Sequence, residues 1–374
     1  MRRIPLEYAK EGMKLGRSII DSEGQVLLRA GVELEERYLN RLFELGIRNL
    51  YIRDELFADT DELEDVISEE TRINTVKQVK RSFDQLQQKR KINTPALRKV
   101  VNNLLDEILD NSNVLLSLTN ISSLDDYIFY HSVSVCTLSI MTGITMSYPQ
   151  IRLQELGIGA ILHDIGKTML DPTLVRHEGE LSEDEYLKWR QHTDYGFALL
   201  RETSDLSLLS AHVAYQHHER FDGKGYPRGL AGKAIHEYSR IVAVANLYDN
   251  LMADRPNRPP YEASQALNLL NRMAGVYFDP EVVQALVANI AIYPVGSIVR
   301  LNTGFIGVVL HLNSNNPNRP TVRIFLDSAH HQLFPPKEVD LSRLTTVYIV
   351  QVMGEQDLNQ LALHHAGLAQ EDKV

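Results

Sequence analysis

The stretch H-H-E-R-F-D-G-K-G-Y-P, from His217 to Pro227, is the most informative part of the sequence. Two adjacent imidazoles precede a segment that two glycines interrupt, so both histidines can turn toward one pocket. Upstream, H-D-I-G-K places an imidazole beside a carboxylate, from His163 to Lys167. Imidazole nitrogen and carboxylate oxygen suit divalent iron, manganese, zinc, cobalt or nickel. With Lys167 beside them, these ligands indicate metal-assisted attack on a phosphate ester.

The composition is that of an ordinary globular protein with two or three domains. The chain has 374 residues, 44% hydrophobic and 24% charged, with a formal net charge of −10. This balance excludes a general attraction to nucleic acid or anionic membranes. The single cysteine, Cys136, lies in an apolar run, so we expect a buried thiol and a reducing cytoplasm. Met1–Lys10 lacks the apolar stretch of a signal peptide, and we expect no membrane span.

The spacing of apolar residues predicts a mainly α-helical protein with smaller β-containing parts. Eight of the thirteen histidines fall within the segment from His131 to His236, which marks the chemical domain. The predicted segments are an N-terminal accessory α/β module (1–55), a helical linker (56–112), an all-helical catalytic domain (113–290) and a β-rich appendage with a polar tail (291–374).

Local signals place several elements along the chain. Asp21–Gly24 is typical of a hairpin turn, Gly46 of a helix end, and Asn93-Thr94-Pro95 of a helix start. The apolar stripes of the linker predict either core packing or a dimer interface. Predicted helices are Tyr127–Thr145, Leu153–Leu162, Glu183–Glu202, Ser207–His217, Tyr238–Met252, Tyr261–Met273 and Pro280–Ile290, and predicted strands in the appendage are Ser297–Leu301, Gly307–Leu312, Thr321–Phe325 and Val347–Val352.

The two histidine motifs together resemble those of the HD-GYP family, a branch of the HD-domain metal phosphohydrolases. His163-Asp164 and the segment His217–Pro227 carry the resemblance, which covers roughly residues 120–275. The resemblance implies an all-helical HD-type catalytic domain. It also implies hydrolysis of the bacterial second messenger cyclic di-GMP to linear pGpG, often followed by hydrolysis to GMP.

The resemblance further implies which residues form the site. Asp164 would bridge two divalent metal ions, with iron or manganese favoured over zinc, cobalt and nickel, and a hydroxide held there would attack phosphorus. Lys167 would contact the scissile phosphate, so Asp164 and Lys167 are the implied catalytic residues. The implied metal ligands are His131, His163, Asp164, His192, His217, His218 and the residue at position 246. The implied substrate-binding residues are Lys167, Gly225, Tyr226, Asp249, Arg255 and Arg258.

Two positions depart from the family's pattern. The family's last metal ligand is the aspartate of V-A-D-x-Y-D-A-L, whereas this chain reads V-A-N-L-Y-D-N-L and has Asn246 there. An amide oxygen carries no charge, so we expect one weaker metal site. Asp249, one helical turn on, either stays near the ligand phosphates or moves into the metal shell. Some members place a glutamate for a third metal where this chain has Tyr127, so we expect at most two metals.

Three functions remain open at this point. The first is a metal-dependent phosphodiesterase acting on cyclic di-GMP. The second is a cyclic dinucleotide sensor with little turnover, in which Asn246 has disabled one metal site. The third is a phosphodiesterase for another cyclic dinucleotide, such as cyclic GMP-AMP. Among partners, the sequence favours cyclic di-GMP over nucleic acid and is compatible with a homodimer and with signalling protein partners.

Overall fold

The computed structural model describes residues 1–53, 66–89, 92–111, 114–116, 123, 126–177, 179–253, 259–313, 316–358 and 360. These residues fall into two compact units. The β-containing unit comprises the described parts of Met1–Ile19, Val26–Glu64 and Ala291–Val374, and the helical unit comprises the described parts of Ile20–Gln25 and Asp65–Ile290.

The described elements, in chain order, are β1 (Arg2–Pro5), β2 (Lys14–Leu15), β3 (Ile19–Ile20), β4 (Val26–Leu28), α1 (Glu36–Glu44), β5 (Asn49–Arg53), α2 (Glu69–Lys89), α3 (Thr94–Asp110), α4 (Tyr127–Thr145), α5 (Gln150–Ile161), α6 (Pro172–Val175), α7 (Glu183–Arg190), α8 (His192–Arg201), α9 (Leu208–Gln216), α10 (Glu237–Met252), α11 (Ala263–Met273), α12 (Pro280–Val287), β6 (Ile298–Leu301), β7 (Ile306–His311), β8 (Thr321–Leu326), β9 (Gln332–Asp340) and β10 (Ile349–Val352). The predicted fold class, mainly helical with a small N-terminal α/β part and a β-rich C-terminal part, is confirmed.

The β-containing unit holds two main antiparallel sheets. A small sheet has the strand order β1-β5-β2, and a five-stranded sheet has the order β10-β6-β7-β8-β9. Gly46 ends α1 with a positive φ of 74°, as predicted. Strand β9 was missed because it contains Pro335 and Pro336, which argue against a strand. Its place at the edge of the sheet explains why the prolines are tolerated.

The helical unit is built around α4. This helix buries both polar and apolar residues on most sides and packs against α2, α5, α10 and α12. Cys136 lies inside it and donates to the carbonyl of Gly157 at 3.3 Å, and burial raises the pKa of its thiol. The predicted bounds of α4 and the buried state of Cys136 are confirmed.

The length and apolar character of α4 also satisfy the criteria for a membrane-spanning helix. This is a match of length and composition only, and the expectation of no membrane span stays a prediction. Most of this helix is buried inside the helical unit, which is how the core helix of a helical bundle is placed.

Helices α2 and α3 belong to the core of the same unit. The side chain of Asn93 caps α3 by accepting from the backbone N–H of Ala96 at 3.1 Å, and Pro95 occupies the first turn, as predicted. Phe83 of α2 meets Phe129 of α4 edge to face, with ring centroids 5.7 Å apart. The stripe on α3 is buried at Leu97, Val101, Leu104, Leu105 and Ile108. Core packing, rather than an interface between copies, therefore accounts for these stripes.

Two predicted helices end differently in the structure. The single helix predicted for Glu183–Glu202 is divided into α7 and α8 at Gln191. Here His192 Nδ1 and Thr193 Oγ1 bond to carbonyls of the last turn of α7, at 2.6 and 2.9 Å, and compete with the helical pattern. The His163-Asp164 pair, predicted to lie on a helix, instead lies in the turn that follows α5.

Candidate metal centre

Four separate segments of the helical unit bring the predicted imidazoles and the carboxylate together. His131 comes from α4, His163 and Asp164 from the turn after α5, and His192 from the start of α8. The other two ligands, His217 and His218, directly follow the end of α9. Two groups result, one of His131, His163 and Asp164 and one of Asp164, His192, His217 and His218, with the ligand atoms in each within 4.8 Å of one another.

Two glycines make this convergence possible. A Cβ on Gly166 would lie 1.9 Å from the backbone oxygen of His192 and 2.5 Å from the nitrogen of Gly196. The H-D-I-G-K turn therefore rests directly on the backbone of α8, with no space for a side chain. Gly196 lies one turn after His192 and presents the same open face of α8. This contact holds His163 and Asp164 beside His192.

Hydrogen bonds on Nδ1 aim the histidines. Three of them place Nδ1 against backbone carbonyls: His163 at Ala160 (2.7 Å), His192 at Trp189 (2.6 Å) and His217 at Val213 and Ala214 (3.1 Å each). A carbonyl can only accept, so Nδ1 carries the proton and Nε2 keeps a free lone pair. The Nε2 atoms of His192 and His217 lie 3.5 Å apart, which shows that both face the same space.

His131 is aimed by a side chain instead. Its Nδ1 lies 2.6 Å from Oδ2 of Asp249, and its Nε2 lies 3.7 Å from Oδ2 of Asp164. A carboxylate behind a ligand histidine fixes the ring and raises its basicity. The structure thus places Asp249, predicted to bind substrate, behind His131. The sequence motifs did not predict that Asp249 would orient a ligand histidine.

Burial keeps four of the ligand histidines neutral. It lowers the pKa of His131, His217 and His218 below the ordinary value, and it lowers the pKa of His192 to about 3. A metal ion requires an unprotonated imidazole, so at neutral pH these rings are ready to bind one.

Asp164 is the common member of both groups. Burial acts to raise the pKa of this carboxyl, but the imidazole of His163 and the ammonium of Lys167 outweigh it and hold the pKa well below its usual range. Nζ of Lys167 lies 2.5 Å from Oδ2 of Asp164 and 4.9 Å from the ring of Trp189. Lys167 thus binds the shared carboxylate and also packs on an aromatic face.

The donor set fits divalent metal ions. Among the described residues, Nε2 of His163 and Oδ1 of Asp164 are buried without a hydrogen-bond partner. A buried polar atom without a partner is costly, and metal coordination removes that cost. Neutral imidazoles around an ionised carboxylate are typical ligands of iron, manganese, zinc, cobalt and nickel. A carboxylate common to both groups matches the predicted bridging position.

The loop after the paired histidines is held by Glu219. This carboxylate is 3% exposed and accepts from the backbone N–H groups of Arg228 and Leu230, at 2.8 and 2.9 Å. A Cβ on Gly225 would lie 2.2 Å from the nitrogen of Arg220. Gly225 was predicted to bind substrate, and the close approach seen at this glycine is to the backbone of Arg220. Glu219 was missed, although it lies inside the quoted motif.

Tyr226 lies against the group of Asp164, His192, His217 and His218. Its ring stacks on His218 with centroids 4.7 Å apart and 17° between the planes, and the guanidinium of Arg190 lies 4.6 Å from its centroid. Its peptide bond to Pro227 is cis. Tyr226, predicted to bind substrate, thus stacks on His218 in this structure.

One remaining predicted site residue, Asn246, lies in α10. Asn246 is 8% exposed, and its Oδ1 accepts from Nδ2 of Asn250 at 2.6 Å. Arg255 and Arg258, predicted to bind phosphates of the substrate, lie outside the described residues. The structure therefore brings six predicted ligands into two groups. The seventh, Asn246, is instead hydrogen-bonded to the side-chain amide of Asn250.

Comparison with family models gives two matches. Residues 103–282 match the HD domain, and residues 298–361 match the KOW domain associated with HD domain. The first match includes every ligand of the two groups. The second covers the five-stranded sheet of the β-containing unit.

Curated relatives carry related names. The chain is 35% identical over 252 residues to cyclic di-GMP phosphodiesterase PA4108 of Pseudomonas aeruginosa, which is 67% of this chain and 61% of that relative. It is 35% identical over 135 residues to 3'3'-cGAMP-specific phosphodiesterase 3 of Vibrio cholerae, which is 36% of this chain and 29% of that relative. The chain thus spans less than two thirds of the length of these relatives.

Among solved structures, the chain is similar to Bd1817, a HDG"Y"P protein from Bdellovibrio bacteriovorus. The match has a TM-score of 0.46 and 19% sequence identity, and it covers 76% of this chain and 98% of that chain.

Proposed function

Since the chain belongs to the HD-GYP family of HD-domain proteins, we propose that it is a metal-dependent phosphodiesterase that hydrolyses a cyclic dinucleotide. The observation that carries the proposal is the pair of ligand groups that share the buried carboxylate of Asp164. Metal ions bound there would supply an activated water and stabilise negative charge on the phosphate.

The protein's own groups have distinct tasks in this proposal. Asp164 joins the two groups and stays ionised because its pKa is held low. Lys167 places a positive charge next to that carboxylate, where it can also meet a phosphate oxygen of the substrate. Tyr226 shields His218 by stacking on it, and Asp249 holds the ring of His131. We therefore assign binding of phosphate to Lys167 and positioning of ligands to Tyr226 and Asp249.

Cyclic di-GMP is the substrate that we favour. The relative matched over 67% of this chain is named a cyclic di-GMP phosphodiesterase. A relative matched over 36% of it is named as specific for 3'3'-cGAMP, so that cyclic dinucleotide is the alternative substrate. We propose linear pGpG as the first product, with GMP following if the second bond is also cleaved. Iron and manganese are the metals that we favour.

A second candidate function is a cyclic dinucleotide sensor with little turnover. The observation that favours it is Asn246, an uncharged amide at the position where the family has a carboxylate ligand. Its Oδ1 already accepts a hydrogen bond from Asn250. Such a protein would bind the dinucleotide but convert it slowly.

Turnover assays separate these candidates. The wild-type protein, stripped of metal and reloaded with Mn²⁺ or Fe²⁺, is incubated with cyclic di-GMP or 3'3'-cGAMP, and the linear product is followed by chromatography. We expect Asp164→Asn to remove product formation. We also expect a higher kcat/KM for cyclic di-GMP than for 3'3'-cGAMP. Binding of the dinucleotide without product, together with product formation by Asn246→Asp, would instead identify a sensor.

We place the protein in the cytoplasm because its single cysteine is a buried free thiol. A homodimer and signalling protein partners stay predictions.

A further inference from the structure

Three polar side chains next to the first ligand group form one hydrogen-bonded chain. The hydroxyl of Tyr127 donates to Oδ1 of Asn250 at 3.1 Å, and Nδ2 of Asn250 donates to Oδ1 of Asn246 at 2.6 Å. The ring of Tyr127 also stacks on His131, with centroids 5.4 Å apart and 18° between the planes. These hydrogen bonds therefore join α4 to α10 beside His131, a predicted metal ligand.

The direction of these hydrogen bonds is determined by a backbone carbonyl. Nδ2 of Asn250 lies 2.8 Å from the carbonyl oxygen of Asn246, which can only accept. The amide nitrogen of Asn250 must therefore face Asn246, and its oxygen must face the hydroxyl of Tyr127. The side-chain atom of Asn246 opposite that nitrogen is consequently its oxygen. A rotated Asn246 amide would place two N–H donors against each other.

This arrangement engages the oxygen that Asn246 would offer to a cation. At 2.6 Å the hydrogen bond from Asn250 is short, and it competes with a metal ion for that oxygen. None of these three side chains carries a charge, so they do nothing to balance the positive charge of a dication.

The charges around the two ligand groups point the same way. Asp164 is the only carboxylate in the two groups, and the ammonium of Lys167 lies 2.5 Å from one of its oxygens. Two bound dications would therefore share one carboxylate whose charge is partly neutralised. A further carboxylate, that of Asp249, contacts the ring of His131. The group of Asp164, His192, His217 and His218 offers four ligands, whereas the group of His131, His163 and Asp164 offers three.

We propose that Asn250 is a positioning residue that holds the side-chain oxygen of Asn246 away from metal coordination and so makes the His131–His163–Asp164 group the weaker of two metal sites. Tyr127 supports it by fixing the amide of Asn250. This inference rests on the proposed metal-dependent function, but it concerns metal affinity and not turnover.

The test titrates metal-free full-length protein with Mn²⁺ alone, by isothermal calorimetry and by counting free Mn²⁺ in electron paramagnetic resonance spectra. The wild-type protein is expected to bind one ion tightly and a second weakly. Asn250→Ala, which releases the oxygen of Asn246, is expected to tighten the weak site by about 10-fold, in the range that supporting residues of metal sites command. Asn246→Asp is expected to tighten it at least as much, and Tyr127→Phe less.

Asn289→Ala is the matched control. Nδ2 of Asn289 donates to the carbonyl four residues earlier, at Ala285, as Asn250 does to Asn246. It also bonds to Thr145, at the opposite end of the 19-residue helix α4 from Tyr127. This end is about 27 Å away along the axis. The control is expected to leave both Mn²⁺ affinities unchanged.

Several outcomes would overturn the proposal: two equal sites in the wild-type protein, or an Asn250→Ala variant whose weak site is unchanged or weaker. If Asn250→Ala fails to fold, as judged by circular dichroism, Tyr127→Phe decides alone, and an unchanged weak site in it counts against the proposal. Mn²⁺ binding with the expected pattern but without hydrolysis would contradict the proposed function and leave this inference standing. No Mn²⁺ binding at all would contradict both.

Discussion

Replacement of Gly166 by alanine tests how the metal centre is assembled. The new Cβ would lie 1.9 Å from the carbonyl oxygen of His192 and 2.5 Å from the nitrogen of Gly196, whereas real Cβ contacts essentially never fall under 3.0 Å. Both neighbours are backbone atoms of α8 and cannot rotate away. The H-D-I-G-K turn and α8 must therefore separate by about 1.1 Å.

The magnitude follows from that displacement. Overpacking of this kind costs about 1–3 kcal/mol of stability, which lowers the Tm by about 2–4 °C per kcal/mol in a unit of this size. The separation moves Asp164 relative to His192, and a misplacement of about 1 Å costs about 100-fold in rate. We therefore expect a folded variant with a modestly lower Tm, weakened Mn²⁺ binding and about 100-fold slower hydrolysis.

The assay compares three glycine variants by thermal unfolding, Mn²⁺ titration and turnover. Gly196→Ala places its Cβ 3.3 Å from the side chain of Ala214 and 3.4 Å from the backbone nitrogen of Gly166. It therefore presses on the same contact by only a few tenths of an ångström, so its effect should have the same direction but be smaller. Gly354→Ala meets nothing within 4 Å and controls for the substitution itself. If Gly166→Ala retains wild-type Mn²⁺ affinity and turnover, the contact between the turn and α8 does not position the ligands, and the reasoning fails.

Three further predictions follow from the same contacts. Glu219→Gln replaces a buried carboxylate that accepts two backbone N–H bonds, so urea unfolding should show a loss of about 1–3 kcal/mol, and unchanged stability would argue against its role in the loop. Asp249→Asn removes the charge behind His131, so Mn²⁺ affinity should fall about 10–100-fold, whereas equal affinity would show that the contact is dispensable. The pKa of His192 in the metal-free fold is lowered from 6.5 to about 3, so its neutral form stabilises the fold above pH 6.5, and this contribution is lost as the pH falls from 6.5 toward 3. Urea unfolding of metal-free protein should become easier over that range, less so in His192→Gln, and a flat profile would contradict the assignment.

The histidine motifs and the helices were accessible from the sequence because each is a local signal. The 3.6-residue spacing of apolar positions predicted α4 with its observed bounds, and Asn93 marked the start of α3. The paired histidines before glycines predicted metal ligands at His217 and His218, and the His163-Asp164 pair predicted two more. These signals depend on residues that are close together in the chain. His131 and His192 were named only by the resemblance to the family, and the structure brings all six ligands into two groups.

Features that depend on distant segments were not accessible. The contact of Gly166 with His192 requires the packing of the turn on α8, and the hydrogen bond of Asn250 to Tyr127 requires α10 to lie against α4. Neither leaves a periodic pattern in the sequence. Strand β9 was hidden for a different reason, since its two prolines outweigh its pairing at the edge of the sheet.

The central claim is that the two ligand groups, joined by Asp164, make this protein a metal-dependent hydrolase of a cyclic dinucleotide. The most direct measurement is the initial rate of linear dinucleotide formation from cyclic di-GMP as Mn²⁺ is added to metal-free protein, with Asp164→Asn measured in parallel. The account predicts that product forms only with added metal in the wild-type protein and that none forms in the variant. Equal rates for the two proteins, or a wild-type rate that does not depend on metal, would contradict it.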